Sequence, residues 1–339
     1  MKVKRYSMQQ FSHPGRSLVE LSPTVSADTL LADLMPPPEF SEARFSTYIP
    51  DANFPSQIQA VHACKDFLSS KKRFFGKKES APGIYLDGGF GVGKTHLLAS
   101  IWHQHKGRKL FGAFLDMTAI TGYLGFAEMA KRLSDYELIC IDEFELDDPG
   151  DTMIMSRLLK ELSQAGVRFA ATSNTPPNAL GEGRFAAEDF KREIQGLGER
   201  FKIVSVDGED YRHRDIDSHS DLLTEAEASK LVKENVSVDD FQSLLKHLST
   251  LHPTKFRYLL SGLQGIVLTD VKKLVSQVDA LRLVSFIDRA YEQQIPIRAT
   301  GEVPLTDVFT DEMTSGGYRK KYLRCVSRAS ALSSRAFPA

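Results

Sequence analysis

Long apolar runs are missing from this 339-residue sequence. No stretch approaches the roughly 18 apolar residues that a membrane-spanning helix needs, and no charged segment followed by an apolar one opens the chain as in a signal peptide. We therefore predict no membrane span. The first 19 residues carry four basic side chains and no acid, at Lys2, Lys4, Arg5 and Arg16. A transit peptide is the alternative interpretation of that segment.

Cysteine is scarce as well. Its three copies, Cys64, Cys140 and Cys325, are far apart in the chain, and Cys140 lies inside an apolar run. An odd number of widely spaced cysteines favours reduced thiols, as in a cytoplasm. We therefore predict a cytoplasmic location.

Neither sign of charge predominates. Lysine and arginine number 43 against 44 aspartates and glutamates, for a formal net charge of −1. A balanced chain produces no overall field that draws it onto nucleic acid or anionic lipid. The composition therefore argues against nucleic acid as a partner, and any peripheral contact with a membrane would have to be local.

One segment combines an apolar strand, a glycine-rich turn and the start of a helix: residues 83–98, GIYLDGGFGVGKTHLL. Within it, Gly88, Gly93, Lys94 and Thr95 fit the pattern G-x-x-x-x-G-K-[ST], whose backbone N–H groups can surround a triphosphate. An ordinary glycine turn is the alternative. The predicted nucleotide-binding residues are consecutive: Gly88, Gly89, Phe90, Gly91, Val92, Gly93, Lys94, Thr95 and His96.

An acidic pair follows the apolar run 138–141, in the letters LICIDEF. Asp142 would end a buried strand beside the phosphate loop, where it can hold Mg²⁺ together with Thr95. Lys94 would neutralise the β- and γ-phosphates, and Glu143 would orient or deprotonate the attacking water. A strand that simply ends at a solvated turn is the alternative interpretation of the acidic pair.

A third strand delivers a polar side chain toward the same edge, in the letters AATSN. Asn174 at its end can donate a hydrogen bond to the γ-phosphate or to the attacking water. The alternative is that Asn174 starts the turn into Pro176 and Pro177, because asparagine before proline is ordinary turn chemistry. The position in the sheet favours the first role.

Phosphoryl transfer also needs a cation on the developing charge, and an arginine from a neighbouring subunit can supply it. Arg200 ends a predicted helix just before a predicted strand, a position suited to reaching such a neighbour. Arg184 and Arg192 are alternatives, and a favourable charge at a helix C-terminus is the simpler interpretation of Arg200. Arg282, which opens the predicted helix 281–291, is a further candidate contact to the nucleotide.

Strands and helices alternate around these motifs. We predict strands at 84–86, 110–115, 138–141, 167–171 and 202–206, and helices at 27–34, 120–133, 153–162 and 190–201. Continuous apolar strands that alternate with helices predict an α/β fold, a P-loop NTPase whose parallel sheet is flanked by helices. Ligands of such sheets bind at the carboxyl ends of the strands, where the motifs lie.

The composition becomes polar and charged after residue 206. We therefore predict an N-terminal extension at 1–50, a P-loop ATPase core at 51–206 and a C-terminal helical plus βαβ region at 207–339. In the last region we predict helices at 222–232 and 241–248, the second with a capping box from Ser237 and Asp240. A strand at 266–268, a helix at 281–291 and a strand at 295–299 predict a C-terminal α/β appendage.

Two basic segments have two interpretations each. One is a loop with five cations, Lys71, Lys72, Arg73, Lys77 and Lys78; the other is the tail 318–328. A solvated linker or chain end is the simpler interpretation, and a contact to phosphate or to a partner is the alternative.

Five segments together resemble the ZapE/AFG-type family of AAA+ ATPases: YLDGGFGVGKTHLL, CIDEFELDDPGDTMIMSRLLKELSQAGV, ATSNTPPNAL, VDGEDYR and LRLVSFIDRAYEQQIPI. The resemblance runs from about residue 23 to residue 309. It implies an AAA+-like fold and ATP hydrolysis by Lys94, Thr95, Asp142 and Glu143, with Asn174 as first sensor. For bacterial members it implies association with the FtsZ ring and a cytoplasmic location at the inner membrane face.

The sequence therefore predicts a Mg²⁺-dependent, homo-oligomeric ATPase that remodels or regulates a protein partner, with FtsZ in bacterial cell division as the candidate. Two alternatives remain open. A nucleic-acid ATPase of the helicase-loader or replication type would share this core, and a nucleotide-gated scaffold would bind ATP with little turnover. The balanced charge argues against the first alternative, and Glu143 argues against the second.

Overall fold

A computed structural model describes residues 16–70, 83–89, 91–145, 149–175, 200–209 and 222–338. The chain forms two compact units. One unit is Ser26–Arg214, and the other combines Met1–Val25 with Asp215–Ala339. The predicted boundaries after residues 50 and 206 stay predictions, and residues 16–25 lie in the same unit as the C-terminal region.

The N-terminal residues join that unit through specific contacts. The carbonyl oxygen of Arg16 accepts a hydrogen bond from the backbone N–H of Val238 at 3.2 Å. The buried carboxylate of Asp239 accepts from the backbone N–H of Leu18 at 2.9 Å and from the hydroxyl of Ser17 at 2.8 Å. Because these partners are more than 200 residues apart, chain order alone does not indicate the association.

The Ser26–Arg214 unit contains helices and strands in alternation. Its helices are α1 (Ala27–Ala32), α2 (Pro55–Ser69), α3 (Lys94–Gln104), α4 (Phe114–Leu124), α5 (Phe126–Leu133) and α6 (Pro149–Gln164). Its strands are β1 (Gly83–Asp87), β2 (Lys109–Ala113), β3 (Leu138–Asp142), β4 (Arg168–Ser173) and β5 (Phe201–Ser205).

These five strands form one sheet in the order β2-β3-β4-β1-β5, and every neighbouring pair is parallel. Leu86 of β1 lies opposite Thr172 of β4, and Ala113 of β2 lies opposite Asp142 of β3. The carboxyl ends of the strands therefore meet at one edge of the sheet, with β4 between β1 and β3. The predicted α/β fold with a parallel sheet is confirmed.

Burial explains why the central strands are apolar throughout. All five residues of β1 are buried, and so are the first four of β3. Leu97, Leu98 and Ile101 of α3 are fully buried against the sheet, together with Ala60 and Cys64 of α2. A parallel sheet with covered faces needs such continuous apolar strands.

Two of the element boundaries that the structure corrects lie at the ends of α4. The predicted strand 110–115 ends at Ala113, and α4 begins at the next residue. The predicted helix 120–133 is divided between α4 and α5 at Gly125, which has a positive φ of 83°. Glycine takes this conformation without the penalty that a Cβ brings, so it ends a helix readily. The predicted basic loop 71–78 and most of the predicted helix 190–201 lie outside the described residues.

The second unit also alternates between strands and helices. Its helices are α7 (Glu225–Lys230), α8 (Phe241–Leu248), α9 (Phe256–Leu259), α10 (Gln277–Glu292), α11 (Asp311–Ser315) and α12 (Arg319–Ser334). Its strands are β6 (Val236–Asp240), β7 (Gly265–Val271) and β8 (Ile297–Gly301), and they form a parallel sheet in this order. In the ranges that the structure describes, no helix of either unit combines the length and the apolar character needed to cross a membrane.

Strand β6 is absent from the predicted elements, and its presence corrects the predicted capping box. Ser237 lies buried within β6 and does not cap α8. Asp240 alone caps that helix, because its carboxylate accepts from the backbone N–H of Ser243 at 2.8 Å. The strand is short and ends in two acids, so its pattern differs little from that of a loop.

The basic tail contributes to the core of the second unit. Tyr322 and Cys325 of α12 are each 1% exposed. Arg324 and Arg328 of the same helix lie 2.9 and 2.6 Å from the carboxylate of Asp288 in α10. One face of the tail is therefore packed inside the protein, which neither of the two predicted interpretations included.

The first prediction concerns this buried ion pair. Burial acts to raise the pKa of Asp288, but the charges of Arg328 and Arg324 outweigh it, and the pKa lies below its usual value of 3.8. Asp288→Asn leaves two arginines without their counter-charge, and we expect it to lower the free energy of unfolding by about 3 kcal/mol at pH 7. Denaturant titration followed by circular dichroism measures this loss.

The matched control is Asp279→Asn, which breaks the more exposed ion pair with Arg282 in the same helix and should cost under about 1 kcal/mol. A depressed pKa stabilises the fold above the unfolded value and loses its effect as the pH falls through the folded value. The loss from Asp288→Asn should therefore shrink below about pH 4. Equal losses for the two variants at pH 7 would contradict this assignment.

Candidate functional site

The glycine-rich loop has the backbone that its sequence predicts. Gly91 and Gly93 have positive φ angles of 72° and 88°, and Gly88 has a φ of 151°. A Cβ on Gly88 would lie 2.1 Å from the carbonyl oxygen of Val206, which follows β5. Only glycine permits this close approach of two backbones. Phe90, also predicted to bind nucleotide, lies outside the described residues.

Lys94, the first residue of α3, connects the loop to the end of β4. It is only 7% exposed. Its Nζ donates to the carbonyl oxygens of Gly88 at 2.8 Å and of Gly89, and to Oδ1 of Asn174 at 3.0 Å. The structure therefore brings together two of the predicted site residues that are 80 positions apart in the chain.

The acidic pair lies where β3 ends. Oγ1 of Thr95 donates to Oδ1 of Asp142 at 3.2 Å. The hydroxyl of Thr172 in β4 donates to the same carboxylate oxygen and accepts from the backbone N–H of Glu143 at 3.2 Å. Glu143 itself has a φ of 50°, in the left-handed region that residues other than glycine seldom adopt.

Its electrostatic environment makes the Asp142 carboxylate a candidate cation ligand. Burial raises the pKa of Asp142 to about 6, and the negative charge of Glu143 acts in the same direction. Hydrogen bonds from Thr172 and Thr95 oppose the shift without cancelling it. A nearby cation would favour the ionised form, and hydroxyl and carboxylate oxygens are the donors that Mg²⁺ prefers. Thr95 and Asp142 therefore fit a magnesium site.

Asn174 has a defined orientation because its two partners are chemically different. Its Oδ1 accepts from the ammonium group of Lys94, and its Nδ2 donates to Oε1 of Glu145 at 3.1 Å. A flipped amide would present its oxygen to a carboxylate and its NH₂ to an ammonium group, and both contacts would be repulsive. Glu145 is not among the predicted site residues, although it belongs to the same acidic run as Asp142.

An N-terminal segment covers one side of the loop and α3. The hydroxyl of Tyr48 donates to the carbonyl oxygen of Val92 at 3.0 Å. Nε2 of His96 lies 3.0 Å from the carbonyl oxygen of Arg44 and 3.1 Å from Oγ1 of Thr47. Two predicted nucleotide-binding residues therefore contact this segment. The segment, residues 44–57 with the letters RFSTYIPDANFPSQ, mixes aromatic residues with prolines, a pattern that by itself predicts no role.

Arg200 lies at the amino-terminal ends of the strands, whereas the glycine-rich loop of the same chain lies at their carboxyl ends. Its carbonyl oxygen accepts from the backbone N–H of Gly83, the first residue of β1, at 2.7 Å. The glycine-rich loop follows Asp87 at the other end of that strand, roughly 13 Å away at 3.3 Å per residue. A role in a neighbouring subunit stays a prediction. Its competitors Arg184 and Arg192 lie outside the described residues.

Arg282 belongs to the second unit. It lies in the second turn of α10, where its guanidinium forms an ion pair with Asp279 one turn earlier. The predicted contact of Arg282 with the nucleotide stays a prediction.

The fold and the loop define the class of protein. A buried strand, a glycine-rich loop and a helix form a Walker A element, and the acidic pair that ends β3 forms a Walker B element, as in P-loop NTPases. The sequence model of the AFG1-like ATPase family matches residues 24–234 and 217–338. The chain belongs to the AFG1-like ATPase family, so the predicted ATPase class is confirmed.

Curated relatives extend this result. The cell division protein ZapE of Escherichia coli K12 is 27% identical over 312 residues, which cover 77% of this chain and 82% of that protein. Lactation elevated protein 1 homolog B of Danio rerio is 29% identical over 187 residues, which cover 47% of this chain and 37% of that protein. The predicted relation to the ZapE/AFG-type family is confirmed.

Solved structures give weaker likenesses. The crystal structure of DnaI has a TM-score of 0.41 and 19% identity, with coverage of 51% of this chain and 93% of that one. AMPPCP-bound DnaA from Aquifex aeolicus has a TM-score of 0.41 and 12% identity, with coverage of 89% and 98%.

The second prediction concerns the cost of the buried charge. Because the pKa of Asp142 is raised to about 6 from 3.8, the folded protein holds a destabilising carboxylate above pH 6. We expect Asp142→Asn to stabilise the nucleotide-free and metal-free protein at pH 8 by about 2 kcal/mol, or roughly 5 °C in Tm. Below pH 4 the carboxyl is neutral in both the folded and the unfolded state, so the gain should disappear.

Thermal unfolding at pH 4, 6 and 8 measures this dependence. The control is Asp135→Asn, whose side chain is 72% exposed and should leave Tm within about 1 °C at each pH. A Tm for Asp142→Asn that is equal to or below the wild-type value at pH 8 would contradict the raised pKa.

Proposed function

We propose that this ATPase works with one Mg²⁺ held between Thr95 and Asp142, and that it couples hydrolysis to remodelling or regulation of a protein partner. One observation supports the magnesium site: Thr95, at the start of α3, and Asp142, at the end of β3, are hydrogen-bonded at 3.2 Å. When bound there, Mg²⁺ would supply positive charge to the β- and γ-phosphate oxygens.

The chain's own residues then have separate tasks. The backbone N–H groups of the glycine-rich loop bind the phosphates. The ammonium group of Lys94 exchanges its hydrogen bonds to loop carbonyls for hydrogen bonds to phosphate oxygens. Glu143 accepts a proton from the attacking water as that water forms a bond to the γ-phosphorus and ADP leaves. Asn174 donates its remaining amide hydrogen to the γ-phosphate or to the water.

The location of Glu143 and Asn174 supports these tasks. Glu143 follows the metal-binding strand directly, and Asn174 follows β4, which lies between that strand and β1. All three strand ends lie at the edge where α/β sheets bind their ligands. The positive φ of Glu143 also supports a functional role, because such conformations concentrate at active sites.

The partner is proposed from the relatives. ZapE of Escherichia coli carries the name of a cell division protein and aligns with 77% of this chain. We therefore propose a protein client in bacterial cell division, with the tubulin-like protein FtsZ as the candidate. We further propose that the protein is a homo-oligomer in the cytoplasm. Because Arg200 and the glycine-rich loop of the same chain lie at opposite ends of β1, we propose that Arg200 reaches the nucleotide of a neighbouring subunit.

The third prediction tests the proposed base. Glu143→Gln keeps the shape of the side chain but accepts a proton poorly, so ATP turnover should fall at least about 100-fold. Affinity for ATP should stay within about threefold, because Lys94 and the loop are unchanged. Phosphate release and a fluorescent ATP analogue measure the two quantities. The control is Glu137→Gln, at the other end of β3, which should retain wild-type turnover; near-normal turnover of Glu143→Gln would exclude this base.

The same variant tests the proposed partner. An ATPase arrested with ATP should keep its client, so affinity capture with Glu143→Gln in ATP, compared with ADP, should enrich the tubulin-like division protein. Enrichment of membrane-protein subunits would move the function to protein quality control and would contradict the proposed role in division.

The fourth prediction tests the arginine in trans. Arg200→Ala and Glu143→Gln should each be nearly inactive alone, because one lacks the cation and the other the base. An equal mixture should recover up to about a quarter of wild-type turnover, because random assembly pairs an intact base with an intact arginine at that frequency of interfaces.

ATP turnover of the mixture against each variant alone is the measurement. Lys202→Ala, a neighbouring exposed cation in β5, should behave as wild type. An Arg200→Ala variant with full activity, or a mixture no faster than its components, would remove Arg200 from this role.

A further inference from the structure

Thr172 connects both residues of the acidic pair. Its side chain is buried, with 2% of the residue exposed. The hydroxyl donates its single hydrogen to Oδ1 of Asp142, and its oxygen accepts from the backbone N–H of Glu143 at 3.2 Å. A hydroxyl has one donor and two acceptor positions, so the two bonds do not compete.

The backbone of Thr172 holds the same turn from the other side. Its carbonyl oxygen accepts from the backbone N–H of Phe144 at 2.7 Å. The regular pairing of β3 with β4 ends at Ile141 and Ala171, one residue earlier. Beyond that pair, the contacts of Thr172 replace the strand pairing and keep three consecutive residues of β3 and its turn against β4.

These contacts account for the unusual backbone of Glu143. Its φ of 50° is uncommon for a residue with a Cβ and persists only where the surroundings enforce it. Thr172 binds the residues on either side of Glu143 as well as its N–H, so it restrains the direction in which that side chain leaves the backbone.

We propose that Thr172 is a positioning residue for hydrolysis, which aims the Asp142 carboxylate at Thr95 and keeps Glu143 in its left-handed conformation. This inference rests on the proposed roles of Asp142 and Glu143. The alternative is that Thr172 only fills and satisfies a buried strand end. The two differ in what they require: positioning needs the hydroxyl, whereas packing needs the shape of the side chain.

Two substitutions separate these requirements. Thr172→Val keeps the shape and removes the hydroxyl, and Thr172→Ser keeps the hydroxyl and removes a methyl group. We expect Thr172→Val to lower kcat on the order of 10- to 100-fold with KM for ATP nearly unchanged, because misplacing a reacting group costs about this much. Thr172→Ser should stay within about threefold of wild type in kcat.

Nucleotide binding provides a readout besides activity. In EDTA, a fluorescent ATP analogue should bind Thr172→Val and wild type within about threefold, because Lys94 and the loop are intact. The gain in affinity on adding Mg²⁺ should be smaller for Thr172→Val, because its Asp142 carboxylate is no longer held toward Thr95, and normal for Thr172→Ser.

Several outcomes would overturn the inference. They are a normal kcat for Thr172→Val, an equal loss for Thr172→Ser, or a loss of metal-free nucleotide affinity that matches the loss of kcat. The result for Glu143→Gln distinguishes failure of the positioning role of Thr172 from failure of the proposed base. If Glu143→Gln is inactive while Thr172→Val is normal, only the positioning role fails; if Glu143→Gln retains turnover, the proposed base itself fails.

Discussion

The ATPase unit depends on the position of β4 between β1 and β3. Because all strands of the sheet are parallel, their carboxyl ends meet at one edge, and the residues that follow each strand are brought together there. The glycine-rich loop follows β1, the acidic pair ends β3, and Thr172 and Asn174 lie at the end of β4. Thr172 donates a hydrogen bond to Asp142 on one side, and Asn174, which follows β4, accepts one from Lys94 on the other.

This convergence costs stability. Lys94 and Asp142 are charged groups at a largely buried edge, and the pKa of Asp142 is raised to about 6 because burial disfavours its ionised form. Glu143 adopts an uncommon backbone conformation beside them. Strain and buried charge of this kind persist where the surrounding structure enforces them, and a bound nucleotide with its metal would relieve part of the cost.

Short motifs made much of this site predictable from the sequence. The phosphate loop, the acidic pair and Asn174 each follow an apolar strand, so residue type and spacing were enough to indicate them. Thr172, Glu145 and Tyr48 were not predicted, because their importance comes from partners about 30 to 45 positions away, as in the bonds from Thr172 to Asp142 and from Tyr48 to Val92.

In the second unit, too, the sequence predicts some features and misses others. Its βαβ pattern was predicted from periodicity, but β6 and the buried face of α12 were not. Strand β6 gains its stability from pairing with β7 and from residues 16–18 near the other end of the chain. The sequence of α12 is typical of a solvated basic tail, but two of its arginines form ion pairs with Asp288.

We expect Thr95 and Asp142 to hold a divalent cation beside the bound triphosphate. The most direct measurement is anomalous X-ray scattering from crystals grown with Mn²⁺ and a non-hydrolysable ATP analogue. One strong manganese peak is expected beside Oγ1 of Thr95 and the Asp142 carboxylate. Triphosphate bound at the loop with manganese elsewhere, or with no manganese peak, would contradict it.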